Sequence, residues 1–144
     1  NKIIITDGDL ELKTTEISKL MILNRKKNIN CAIGFRFNNS SIFQSIWIFG
    51  NYVLTKIFNF LHNSNLNDAL CCAKSFYSDD ILRENIKSKK FDIDVEITSL
   101  LIHKLKNHTP VSLEYKRRST KEGKKLKIRD GWLILKRIIL SNTL

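Results

Sequence analysis

Asn1-Lys2-Ile3-Ile4-Ile5-Thr6-Asp7-Gly8-Asp9 is the stretch from which the rest of the chain is read. Three consecutive isoleucines closed by a turn signal predict a strand buried on both faces. Asp7 and Asp9 then fall at its carboxyl end, and Gly8 lets the backbone turn so that both carboxylates face one space. In open α/β sheets, ligands bind outside the carboxyl ends of the strands. Two carboxylates there suit a hard divalent cation, held through oxygen while it grips phosphates. Taken alone, Asp-Gly-Asp is more often an ordinary acidic turn, so the stretches further along decide its meaning.

Outward from this strand, Thr14 to Lys27 carries a helical period, with Ile17, Leu20, Met21 and Asn24 on one face. Asn30-Cys31-Ala32-Ile33-Gly34 reads as a second short buried strand, ending in Phe35-Arg36-Phe37. Strand, helix, strand at this spacing predicts a βαβ unit with parallel strands. Ile42 to Leu61 is strongly apolar and aromatic. It reads as one or two helices, seated in the core or in a membrane interface, where Trp and Phe settle well. Asp68 to Lys74 leads into a short strand around Ser75-Phe76-Tyr77, and a brief helix is expected from Asp79 to Lys87.

Phe91 to Lys106 has the clearest helical period, stopped by Thr109-Pro110. Val111 to Tyr115 alternates as a strand with one wet face. A basic loop spans Lys116 to Lys127, and a last helix begins near Arg129, with Trp132, Leu135 and Ile139 on a shared face.

The 144 residues suffice for one domain with a core. Five glycines and one proline exclude collagen-like and low-complexity classes. The sequence opens directly on a strand at Asn1, which points to a piece of a longer protein. No apolar run reaches the ~18 residues of a spanning helix. Cys31, Cys71 and Cys72 make an odd count without metal spacing, as expected in a reducing compartment. Both Cys71 and Cys72 read as small core residues, and His62, His103 and His108 as surface or capping groups. A net charge of +11 calls for an anionic partner: nucleic acid, an anionic lipid surface or a phosphorylated substrate.

Polar positions recur where strands end or loops begin: Asp7 with Asp9, Arg36, Asp68, Glu96, and the Arg117 to Lys125 loop. Two acids for a cation and a basic loop that closes over phosphates make a diphosphate site. Glu96, early on its helix, also reads as amino-end helix electrostatics.

The order Asp7-Gly8-Asp9, Gly34-Phe35-Arg36-Phe37, Asn67-Asp68 through Cys72 to Lys74, Phe91-Asp92 through Glu96, and Tyr115 through Arg118 to Glu122-Gly123-Lys124-Lys125 resembles family 2 glycosyltransferases. Within them it is most similar to the branch of dolichyl-phosphate mannose synthase and the polyprenyl-phosphate glycosyltransferases. The similarity spans roughly the whole chain, but only the second half of the catalytic domain.

The resemblance implies an α/β GT-A (Rossmann-like) mixed sheet flanked by helices, with the amino-terminal nucleotide-binding half missing. Residues 1–144 would be the carboxy-terminal part of a single catalytic domain. It implies a Mg²⁺ or Mn²⁺ ion held by Asp7 and Asp9 as a DxD motif. Arg36, Arg118, Lys124 and Lys125, with Asp7, would bind the donor phosphates. Phe35 replaces the serine of the family's Gly-Ser-Arg, and Asn67 and Ala73 also depart from its pattern.

Asp68 is the candidate catalytic carboxylate. A sugar hydroxyl acceptor needs a general base. A lipid phosphate is already an anion near neutrality, and then Asp68 orients groups instead. The implied reaction moves a hexose, with inversion, from a nucleotide-diphosphate sugar of the GDP-mannose or UDP-glucose type to a polyprenyl or dolichyl phosphate. The implied setting is cytoplasmic, peripheral at the cytoplasmic face of an anionic membrane. Transfer to a sugar hydroxyl in a cell-surface glycan is the alternative within the family. A noncatalytic basic module binding nucleic acid is the alternative outside it, supported by charge but by no recognition motif.

Overall fold

The computed structural model describes residues 1–8, 11–36, 45–81, 84–88, 90–116 and 128–142. Among the described residues four strands form one mixed sheet: β1 (Lys2–Ile5), β2 (Cys31–Phe35), β3 (Lys74–Tyr77) and β4 (Thr109–Ser112), in the order β1-β3-β2-β4. β3 is antiparallel to both β1 and β2, with Ile5 and Ile33 each opposite Lys74. β4 lies parallel to β2. The helices are α1 (Thr14–Ile17), α2 (Ile46–His62), α3 (Ile93–Leu105) and α4 (Ile128–Ser141).

Strand alternation sorts the core into two layers. Ile3, Ile5, Cys31, Ile33 and Phe76 point to the side where α2, α3 and α4 pack, around Phe58, Val95, Leu101, Ile134 and Ile138. Ile4, Ala32, Tyr77 and Val111 point to the other side, covered by Leu20, Leu23 and Leu113. β2 is buried on both faces.

β1 and β2 run the same way, but β3 lies between them, so they do not form an adjacent parallel βαβ pair. β1 is a sheet edge among the described strands, and its isoleucines are half-buried rather than enclosed on both faces. The stretch from Thr14 to Lys27 is not one helix. α1 is a single turn, followed by 3₁₀ turns at Ser18–Leu20 and Arg25–Lys27. The Asn24 side chain accepts from the Lys26 and Lys27 amides, and Asn28 adopts a left-handed conformation. Asparagine competes in this way with helical hydrogen bonding. Met21, expected on the buried face, is exposed. In place of a helix at Asp79 to Lys87 there is a 3₁₀ turn at Ser78–Asp80, and residues 84–88 are not helical.

α2 begins where Ser45 caps the Trp47 amide and stops at Asn63 in the left-handed region. α3 likewise ends on a left-handed residue, Lys106. Among the described residues no helix is long and apolar enough to cross a membrane. α4 rotates away from expectation: Ile134, Ile138 and Ser141 are buried, while Trp132 and Ile139 are exposed. Arg137 fixes that rotation by pairing with Asp92 at 3.0 Å and Glu96 at 3.8 Å.

His62 is a core residue rather than a surface one. It stacks on Phe58, its Nε2 donates to the Ile138 carbonyl at 3.1 Å, and its Nδ1 accepts from His103 at 2.9 Å. It thereby joins α2, α3 and α4. Burial holds its pKa below the ordinary 6.5. The folded protein therefore favours neutral His62, and the unfolded chain takes up the proton first. Thermal melts should show stability intact above pH 6.5 and falling as the pH drops below it. His62→Gln, which removes the titration, should flatten that part of the profile.

Gly34 admits no larger residue. A Cβ there would meet Leu113 Cδ1 at 2.3 Å and the Ala73 carbonyl oxygen at 2.9 Å, and the second is backbone. Gly34→Ala should cost about 1–3 kcal/mol, measurable by urea denaturation.

Candidate functional site

One edge of the sheet collects the polar residues. β1 and β2 end there, so Asp7 and Arg36 emerge there, as does the chain after β4. β3 runs the other way and begins there, placing Lys74 and the preceding 68–73 segment at the same edge. The Asp7 amide donates to Cys72 Sγ at 3.0 Å, binding the acidic segment to the approach of β3.

Arg36 and Asp68 form a two-point pair: Nε to Oδ2 at 2.7 Å and Nη2 to Oδ1 at 3.0 Å. Oδ1 also accepts from the Leu70 amide at 3.2 Å. The turn carrying Asp68 is pinned from both helices. The Ala69 amide donates to Thr55 of α2, and the Thr98 hydroxyl of α3, which donates to the Asp94 carbonyl at 2.7 Å, lies 3.4 Å from the Ala69 carbonyl. Asp68 is buried, and both its oxygens are engaged. Its task in this arrangement is to hold a guanidinium in place. Arg36 also lies over the Tyr115 ring, 5.4 Å from its centroid.

The sequence drew attention to Arg36 and Asp68 separately, with nothing to say that they touch. It also missed a second buried pair. Lys74 is fully enclosed, and its Nζ lies 3.3 Å from the Asp94 carbonyl and 3.4 Å from Asp94 Oδ1. Burial raises the Asp94 carboxyl above its usual range, Lys74 opposes this, and the charge of Asp7 pushes it further up. Asp7 therefore sits in the field of a second acid. The signal available was a lysine opening a strand of otherwise uncharged residues, a charge that must find a buried partner.

Asp9 lies outside the described residues, as do Arg118, Lys124 and Lys125. The segments that flank them meet. Leu12, three residues after Asp9, forms a β-bridge with Tyr115, three residues before Arg118. The Lys116 amide donates to the Glu11 carbonyl at 2.9 Å, and the Tyr115 hydroxyl donates to the Glu11 carboxylate. Glu11 and Leu12, which follow Asp9, thus meet Tyr115 and Lys116, where the described chain stops ahead of Arg117, whereas Asp7 follows β1, the outer strand on the opposite side of the sheet from β4.

Glu96 does not belong to this edge. It accepts from the Lys87 and Ser88 amides at 3.0 and 2.7 Å and faces Arg137. Burial would raise its carboxyl, but those amides and Arg137 hold it below the usual range. It ties the 84–88 segment to α3. Cys71 is a buried packing residue, and burial pushes its thiol up to about 11.

Asp7 is exposed, and carboxylate oxygen is the donor type that Mg²⁺ or Mn²⁺ takes. Among the described residues no three His, Cys, Asp or Glu side chains group closely enough to hold a metal ion. An open cleft of about 760 Å³ lies where α2 and α3 end, lined in part by His62, His103 and Lys106. That is the opposite end of the sheet from Asp7 and Arg36.

Arg36→Met leaves the Asp68 carboxylate buried without its cation. Breaking one side of such a pair costs about 3–5 kcal/mol. Chemical denaturation should show that loss, and Arg36→Met with Asp68→Leu should recover much of it.

No family model, curated protein or solved structure matches this chain.

Proposed function

We propose that this chain is the acid- and base-bearing second half of a family 2 glycosyltransferase domain of the GT-A type. In this reading the whole domain, of which this chain is one half, moves a hexose from a nucleotide-diphosphate sugar to a polyprenyl or dolichyl phosphate. One observation carries the reading: Glu11 and Leu12, which follow Asp9, are bonded to Tyr115 and Lys116, which lead into the basic stretch. A pyrophosphate with its divalent cation needs that pairing of charges.

Asp7 and Asp9 would hold Mg²⁺ or Mn²⁺, which when bound neutralises the diphosphate. Arg118 would grip phosphate oxygens in two-point fashion, with Lys124 and Lys125 as point charges. Arg36, fixed by Asp68, presents a second guanidinium at the sheet edge. An acceptor oxygen attacks the anomeric carbon, the bond to the diphosphate breaks, and the configuration inverts.

The state of Asp68 favours a phosphate acceptor over a sugar hydroxyl. A hydroxyl requires a base to take its proton. Here the nearest candidate carboxylate has both oxygens committed to Arg36, and one also to Leu70. A lipid phosphate needs no base, because it is already charged near neutral pH. Such an acceptor places the protein peripherally at a membrane surface.

The test is calorimetric titration of the full-length protein that carries this chain with GDP-mannose and UDP-glucose, with and without Mn²⁺, followed by transfer to dolichyl phosphate. Mn²⁺-dependent binding is expected, abolished by Asp9→Asn and weakened ~10-fold or more by Arg118→Ala, with folding unchanged. Binding to RNA with a steep salt dependence, and no Mn²⁺-dependent donor binding, would instead identify a nucleic-acid module.

A further inference from the structure

The outer faces of α2 and α4 carry large apolar side chains into solvent. On α2, Ile46, Phe49, Val53 and Phe60 are exposed, Phe60 by 86%. At about 100° per residue they fall within about 60° of one another. They form a stripe opposite the buried Thr55, Phe58 and His62. On α4, Trp132 (72% exposed), Leu133, Ile139 and Leu140 share an outward arc with Arg129 and Lys136. α2 and α4 pack against each other. A pair of adjacent helices with this much exposed apolar surface marks an interaction site.

The charges on those faces select the occupant. α2 contains no acidic residue, and its exposed cation is Lys56. The one acid of α4, Asp130, is half-buried, about 120° round the helix from Lys136 and outside that arc. A second copy of the chain would set Arg129 and Lys136 against their own kind, with no carboxylate in the arc to pair them. Anionic headgroups would satisfy those cations while Trp132, Phe60 and their neighbours enter the acyl boundary. Trp is favoured at that depth.

We propose that the outer faces of α2 and α4 together form a docking surface for an anionic lipid bilayer, lying in its interface without crossing it. This deepens the lipid-phosphate reading by naming the surface that would bring the sheet edge to an acceptor held in the membrane, and it rests on that reading for its purpose alone. The contact itself requires no transferase activity.

The test is cosedimentation of the 144-residue chain with phosphatidylcholine vesicles, with and without phosphatidylglycerol, and tryptophan fluorescence in parallel. Binding to the anionic vesicles, weakened by salt, is expected, with a blue shift that Trp132→Phe removes. Trp132→Ala should lower partitioning by ~10-fold. Arg129→Glu with Lys136→Glu, both exposed and outside the core, should abolish the preference for anionic lipid while circular dichroism stays unchanged. No binding, or equal binding to both vesicle types that the charge reversal leaves intact, would overturn the proposal. A lipid-free dimer by light scattering that Trp132→Ala dissolves would also overturn it, by assigning the face to a second copy. Vesicle binding by this chain, with no Mn²⁺-dependent donor binding by the full-length protein, would sustain the docking surface and sink the transferase. The reverse pair of results would do the opposite.

Discussion

Strand β3 hydrogen-bonds on both sides to strands that run against it, and the rest of the molecule depends on that arrangement. Because β1 and β2 both oppose β3, they deliver Asp7 and Arg36 to one edge, and β3 starts from that edge with Lys74. Small side chains make the interleaving possible. Ser75 is fully buried and donates to the Leu20 carbonyl at 2.7 Å, drawing the covering segment onto the sheet. Gly34 lets Leu113 and the Ala73 carbonyl approach the centre of β2. A slip of one residue in β3 would turn Lys74 to the opposite face, away from Asp94.

The charges at this edge divide into two groups. Arg36 with Asp68 and Lys74 with Asp94 are buried and neutralise one another within the fold. Such pairs add little net stability, but each is costly to break from one side. Their effect is to fix position. Asp7 flanks this fixed layer and reaches solvent. Away from the edge, Arg137 with Asp92 and Glu96 sets the rotation of α4, and with it the apolar face that α4 turns outward.

Elements with a strong local signal were legible in the sequence. α2 and α3 have long apolar periods and identifiable stops, and β2 is an uninterrupted buried run. Strand adjacency was not legible, because two parallel strands with a helix between them read alike whether or not a third strand is interposed later. The 14–27 segment misled because its apolar spacing is helical while Asn24 and Asn28 turn the chain. The rotation of α4 was hidden because the helix has apolar residues on two faces, and only Arg137's partners on α3 decide between them. At the candidate site, Asp7, Arg36 and Asp68 were visible as residue types. The Arg36–Asp68 contact and the Lys74–Asp94 pair were not, since both join residues distant in sequence. Asp9, Arg118, Lys124 and Lys125 lie outside the described residues, and only the contact between their flanks is seen.

The central claim is that the acidic turn and the basic loop close on one metal-bound diphosphate. A spin label placed at Lys121 after Lys121→Cys, in a background with the three native cysteines replaced by alanine or serine, measures this most directly. Its spectrum is recorded in the full-length protein with Mn²⁺ and a nucleoside diphosphate. Strong paramagnetic broadening that requires both Mn²⁺ and the nucleotide, and that vanishes in Asp7→Asn with Asp9→Asn, is the predicted result. A label spectrum unchanged by bound Mn²⁺ and nucleotide would contradict the account, because the loop would then be far from the ion.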